Sequence, residues 1–140
     1  MMRKWLSVVL GLSLLLSVAA ACSGDEDKLT DKWQLRRYEF PDGATQTVDS
    51  VFYNFQKGSF SAICLLPDGN YYTFFGNYSL QDDKISIILQ PEYEGMVYDG
   101  AVYNKYMGWE DGKRTFYVDE LSSSSLRLNY EGTVSVFRKY

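Results

Sequence analysis

The chain has 140 residues, with 14 basic and 18 acidic side chains, a formal net charge of −4 and no histidine. The absence of histidine excludes Ser-His-Asp and Cys-His catalysis and His-ligated zinc, and an acidic chain without a basic stripe is not expected to bind nucleic acid. The length corresponds to one domain with a single core. We therefore expect a non-enzymatic protein that needs no cofactor or metal.

The N-terminus is typical of an export signal. Arg3 and Lys4 precede an uncharged apolar run that ends in small residues just before Cys22. This pattern predicts a signal peptide over residues 1–21. It resembles a bacterial lipobox, in which the cysteine is acylated and becomes the first residue, so the resemblance implies a membrane anchor through a lipid on Cys22. An ordinary signal peptide with a chance cysteine, or an uncleaved anchor, is the alternative.

Residues 22–28 are short, polar and acidic, which predicts a flexible tether before the folded domain. Ser23 is not the aspartate that resembles an inner-membrane retention signal, so we expect the outer membrane. A serine followed by acidic residues also resembles the surface-export signal of Bacteroidota lipoproteins. The alternative is a solvated linker that carries no targeting signal. Cys64 would then be the remaining cysteine, in an apolar run that predicts burial.

From Trp33 onward, apolar and polar residues alternate with period two, which predicts β-strands. The predicted strands cover residues 33–40, 51–57, 59–66, 72–80, 85–90, 114–120, 126–130 and 133–140. A phase change predicts a bulge near Arg36 and Arg37, and the polar residues 44–50 predict a loop. No helix is predicted. About eight strands joined by short turns indicate an all-β antiparallel up-and-down meander, which closes into a barrel to avoid exposed edges.

The stretch from Leu65 to Gln90 defines the inside of this barrel. Tyr72, Phe74 and Tyr78 share one strand face, which becomes the lumen once the sheet closes. Gly76 lies between them in mid-strand, where glycine marks a bulge, a bend or a close backbone approach.

Closure of the meander pairs the first strand with the last. Trp33 starts the former and Arg138 ends the latter, in phase with Val134 and Val136, so we expect the guanidinium to stack on the indole at the barrel floor. An unrelated core tryptophan and surface arginine is the alternative.

These features resemble the lipocalin (calycin) superfamily, whose first strand carries a tryptophan packed under an arginine from the last. The chain is similar in particular to small lipocalin-like lipoproteins of Bacteroidota. That resemblance is carried by K-W-Q-L, P-D-G-N-Y, G-N-Y-S-L, L-R-L and F-R-K motifs. It implies a lipocalin-like barrel over residues 29–140. Asp31 stands where members of the superfamily usually have glycine.

The segment 91–112 is the longest without a strand pattern, and it is rich in aromatic residues. Near-helical spacing relates Tyr98, Val102, Tyr106 and Trp109, but three glycines weaken a helix there. Long loops in compact domains are often lids or binding loops, and Tyr and Trp suit contacts with lipids, sugars or proteins. Aromatics that merely cover the barrel are the alternative.

Two functions remain open from the sequence. The first is a module that binds a small apolar or amphipathic ligand in the barrel mouth. Its candidate residues are Tyr53, Phe55, Phe60, Tyr72, Phe74, Tyr78, Leu128 and Tyr130 in the wall, with Tyr98, Tyr103, Tyr106 and Trp109 in the loop. The second is an interaction or structural lipoprotein with a filled barrel, whose envelope partner contacts the loop and the outward Tyr71 and Phe75. A third hypothesis, an enzyme that uses carboxylates or tyrosines, is weaker than these two.

Overall fold

The computed structural model describes residues 25–90 and 100–140, so the signal segment, Cys22 and Tyr98 lie outside the described residues. Its elements are β1 (Asp31–Glu39), β2 (Thr45–Thr47), β3 (Val51–Gln56), β4 (Ser59–Leu65), β5 (Tyr71–Gln81), β6 (Lys84–Gln90), α1 (Gly100–Met107), β7 (Lys113–Leu121), β8 (Ser125–Tyr130) and β9 (Thr133–Lys139). A short helical turn over residues 25–29 precedes β1. It includes the last four residues of the segment predicted as a flexible tether.

The strands form one antiparallel sheet that follows the chain order and closes through pairing of β1 with β9. Eight strands make the closed barrel, which confirms the predicted fold class. The predicted bulge is also confirmed, because the β1–β9 register shifts between Leu35 and Arg37. Of the three roles that the sequence left open for Gly76, the structure shows a close backbone approach. Its paired neighbour is Leu89, and a Cβ at Gly76 would lie 2.1 Å from the carbonyl oxygen of Ile88.

The predicted loop over residues 44–50 is wrong in part, because Thr45–Thr47 form β2 on the edge of β1. All three residues are exposed, so no apolar alternation marks the strand in the sequence. It is held in place by the hairpin turn after β1, where the Phe40 amide donates to the Ala44 carbonyl at 2.8 Å.

The prediction that the chain contains no helix is also wrong. Gly100 is the first residue of α1, and Gly108 follows its last residue with φ +71°. Glycine with positive φ directly after a helix is a common helix-ending signal. These two glycines therefore delimit a helix of eight residues and do not interrupt one.

The floor of the barrel pairs Trp33 with Lys139 and not with the predicted Arg138. Trp33 is fully buried and donates from Nε1 to the Leu29 carbonyl at 2.9 Å, while Lys139 Nζ lies 4.6 Å from its ring centroid. Arg138 is exposed and donates from Nε to Gln34 Oε1 at 3.0 Å. Arg138 points outward because the odd-numbered residues of β9 face inward, with Phe137 in the core and Lys139 over Trp33.

Asp31 has a backbone conformation that favours glycine at this position. Its φ is +106°, in the region that side chains with a Cβ avoid. We predict that Asp31→Gly raises the free energy of unfolding by about 1 kcal/mol, because relief of 1–3 kcal/mol of strain exceeds the added entropy of the unfolded chain. Urea unfolding followed by tryptophan fluorescence measures the change.

The matched control is Asp49→Gly, at an exposed position without positive φ. This variant should lose stability, since glycine there adds only unfolded-state entropy. If the Asp31→Gly variant is no more stable than the Asp49→Gly variant, backbone strain at Asp31 does not destabilise the native protein.

Candidate ligand-binding site

The open end of the barrel is partly covered by α1. The helix lies over the β4–β5 side, where the ring of Tyr106 stacks on Tyr72 with centroids 4.9 Å apart and Tyr103 lies 5.5 Å from Phe74. The Cys64 thiol donates to the Tyr106 carbonyl at 3.4 Å. The helix is therefore fixed to two strands, and among the described residues it leaves an opening on the side of β1, β8 and β9.

Trp109, which follows α1, fills the barrel below the helix. Its side chain is 1% exposed, and its Nε1 donates to Tyr53 Oη at 3.2 Å. The indole stacks with Phe60 at 6.5 Å and lies 6.0 Å from Phe116. Burial raises the pKa of Tyr53, so its hydroxyl stays neutral and accepts this hydrogen bond. The loop predicted as a lid thus contributes a core residue, Trp109, that fills the barrel interior.

Most of the predicted lumen wall is core. The candidates that are almost fully buried are Tyr53, Phe55, Phe60, Phe74, Tyr78, Tyr103, Trp109 and Leu128. Tyr78 lies near the opposite end, 5.1 Å from Phe55 by ring centroids. Tyr72 is half-buried beneath Tyr106. The structure brings these aromatics together as predicted, but they contact one another and do not line open space.

A cavity of about 590 Å³ remains at the open end, beside the end of α1. Of the candidate residues that the structure describes, Tyr106 and Tyr130 line it. The side chains that the sequence reasoning missed include Tyr38, Phe40, Gln46, Val48, Arg114 and Ser135. Pockets of roughly 300–1,000 Å³ with apolar walls and a few polar groups are typical small-molecule sites.

Arg114 forms the inner wall of this cavity. Its guanidinium carbon lies 3.7 Å from the ring centroid of Tyr130, 5.3 Å from that of Trp109 and 5.9 Å from that of Phe116. Nη2 donates to the Gly108 carbonyl at 3.4 Å, whereas the buried Nε has no hydrogen-bond partner among the residues described. The sequence did carry a signal for it, because Arg114 is in phase with the inward Phe116 and so had to point into the barrel.

The other polar groups of the cavity differ in their contact with water. Lys105, Glu110 and Glu131 line the rim and are exposed. Tyr38 lies deeper, and burial raises the pKa of its hydroxyl although the charge of Arg114 opposes the shift. At neutral pH the inner wall therefore presents a neutral hydroxyl and a cation, both of which donate hydrogen bonds.

No candidate metal centre is found in the described part of the chain. Residues 25–90 and 100–140 contain no cluster of three or more metal-ligating side chains.

No helix within residues 25–90 and 100–140 has the length and apolar content needed to cross a membrane.

Cys64 is buried beneath α1, and burial raises the pKa of its thiol to about 11 from 9.0. Two pKa units lower the thiolate fraction at neutral pH about 100-fold. We predict that a thiol-specific disulfide reagent modifies Cys64 at least that much more slowly in the native protein than in denaturant at pH 8. Native reactivity should rise as the pH approaches 11. Equal rates in both states would show that the thiol is accessible.

Comparisons with known proteins agree with this architecture. A family model described as a lipocalin-like domain matches residues 14–140. A solved lipocalin-like protein from Bacteroides uniformis is 61% identical, with a TM-score of 0.71, and the match covers 81% of this chain and 99% of that one. A protein from Bacteroides eggerthii is 49% identical, with a TM-score of 0.68 and coverage of 80% and 99%. No curated protein matches the chain.

The match spans almost the whole of the crystallised relative from Bacteroides uniformis, so that solved chain consists almost entirely of the matched region. Lipocalin-like proteins are in general binding proteins without enzymatic activity. The match over most of the chain, together with the closed eight-stranded barrel, places this chain in the lipocalin-like domain family.

Proposed function

We propose that this protein is an exported, lipid-anchored binding protein whose mouth cavity holds one small amphipathic ligand. The observation that carries the proposal is the cavity of about 590 Å³ above a filled barrel. Apolar atoms of Phe40, Val48 and Tyr130 form part of its wall, and Tyr38 and Arg114 supply polar contacts. A wall of this kind suits a ligand with an apolar body and a polar end.

A fluorescence titration of residues 25–140 with phenylnaphthylamine, an uncharged aromatic probe, tests the proposal. Gln46→Trp places an indole in the cavity from the rim and should abolish saturable binding. Thr45→Trp is the matched control, because the preceding residue of β2 points to the other side of the strand and does not line the cavity. Absence of saturable binding to the unmodified domain, or equal loss in both variants, would contradict the proposal.

The membrane anchor is a separate part of the proposal. It is supported by the apolar run and the small residues before Cys22, and by Ser23, which favours the outer membrane and its surface. Cys22→Ala should abolish labelling by radioactive palmitate and release the full chain from the membrane fraction. Labelling that persists in this variant would refute lipid attachment at Cys22.

One observation favours a second function, the interaction with an envelope protein. The outer face of β4–β6 exposes Leu65, Tyr71, Phe75 and Ile88, each about half exposed or more. Exposed apolar patches mark interaction surfaces more often than isolated exposed residues do. Crosslinking in intact cells should capture a partner that disappears in a Tyr71→Ser, Phe75→Ser double variant. Unchanged capture would count against this function.

A further inference from the structure

We infer that the ligand of the mouth cavity carries an anionic oxygen-containing head group that binds Arg114. The inference rests on the proposed ligand-binding function and specifies the chemistry of the ligand. It starts from the buried Nε of Arg114, which lacks a hydrogen-bond partner among the described residues although it lies in the wall of an open cavity.

An arginine in this position is costly without an anion. A buried donor without a partner loses the hydrogen bonds that water gave it, and a buried charge loses solvation as well. Within residues 25–90 and 100–140, no carboxylate forms an ion pair with Arg114. The rings of Tyr130, Trp109 and Phe116 stabilise the cation through their π faces but accept no hydrogen bond in the plane of the guanidinium.

The remaining charges of the cavity do not cancel this cation. Lys105, Glu110 and Glu131 are exposed on the rim, where water and salt screen them. Arg114 is half-buried, in contrast to these three exposed side chains. Electrostatic selection among ligands therefore depends mainly on this side chain.

The donor set defines the chemical class. A guanidinium presents parallel N–H groups that match a carboxylate, sulfonate or phosphate, and such charge-assisted hydrogen bonds are stronger than neutral ones. The hydroxyl of Tyr38, kept neutral by burial, adds a further donor on the same wall. The apolar body of the ligand would then lie against Phe40 and Val48. The cavity is thus suited to an amphipathic oxyanion and not to an amine.

A matched pair of probes separates the head group from the apolar body. Anilinonaphthalene sulfonate has the ring system of phenylnaphthylamine with an added sulfonate. We expect the unmodified domain to bind the sulfonate at least about tenfold more tightly than the uncharged probe, as hydrogen bonds to a charged group contribute about 1.5–3 kcal/mol. Arg114→Met should reduce this ratio of affinities about tenfold or more.

Lys113→Met is the control, since it removes the same charge from the neighbouring, outward-facing residue of β7 and should leave the ratio unchanged. Circular dichroism establishes that each variant is folded, and the ratio in the unmodified domain tests the inference even if Arg114→Met does not fold. Equal affinity for the two probes overturns the anionic head group but leaves the proposed function standing. Failure to bind either probe overturns both.

Discussion

Replacing Trp109 with alanine is expected to lower the free energy of unfolding by about 3–5 kcal/mol, the usual cost of deleting a buried tryptophan side chain. The indole is almost fully buried and joins three strands through Tyr53, Phe60 and Phe116. Its removal leaves a void in the middle of the barrel and connects the mouth cavity with the core. Urea unfolding followed by circular dichroism measures the loss.

Tyr53→Phe is the control for this variant, because it removes only the acceptor for the Trp109 Nε1–H. It should cost about 1–3 kcal/mol, the penalty for one buried donor left without a partner. A loss below about 1 kcal/mol for Trp109→Ala would mean that residues after α1 do not fill the barrel.

Gly76→Ala is expected to lower the free energy of unfolding by about 3 kcal/mol, at the upper end of overpacking costs. The added Cβ would lie 2.1 Å from the carbonyl oxygen of Ile88 and 2.9 Å from the Leu89 Cα. Both obstacles are backbone atoms of the paired strand β6, so no side-chain rotation relieves the clash. The strands must separate locally, and the urea midpoint should fall accordingly.

Gly43→Ala separates this steric effect from backbone strain. Gly43 has φ +88° and open space around its Cα, so alanine there costs only the left-handed conformation, about 1–2 kcal/mol. If Gly76→Ala lowers the free energy of unfolding no more than Gly43→Ala does, β5 and β6 do not approach each other closely at Gly76.

The barrel could be predicted from the sequence because alternation and turn chemistry are local signals. Tyr72, Phe74 and Tyr78 are an example, because the period of two along a strand places all three side chains on the same face of the sheet. Glycine content alone does not predict the helix, because Gly100 and Gly108 lie at its two ends and not in its interior. The Arg138 prediction failed because it took Val134 and Val136 as the inward residues of β9. The inward residues are the odd-numbered ones, with Ser135 in the cavity, Phe137 in the core and Lys139 over Trp33.

The candidate site was harder to predict for a different reason. Whether inward aromatics line a cavity or a core depends on what enters the barrel from elsewhere in the chain. Trp109 and α1 occupy the space that the wall residues enclose, and alternation within the strands contains no information about them. Arg114 can be identified as a candidate site residue from the sequence, because an inward-facing arginine on a predicted strand is unusual in a barrel interior.

The most direct test of ligand binding in the mouth cavity is an NMR titration of isotope-labelled residues 25–140 with anilinonaphthalene sulfonate. We predict chemical-shift changes concentrated at Gln46, Tyr106 and Tyr130 and at the Arg114 Nε–H, with the floor residue Trp33 unchanged. Changes confined to the outer face around Tyr71, or spread evenly over the barrel, would contradict a ligand site at the mouth.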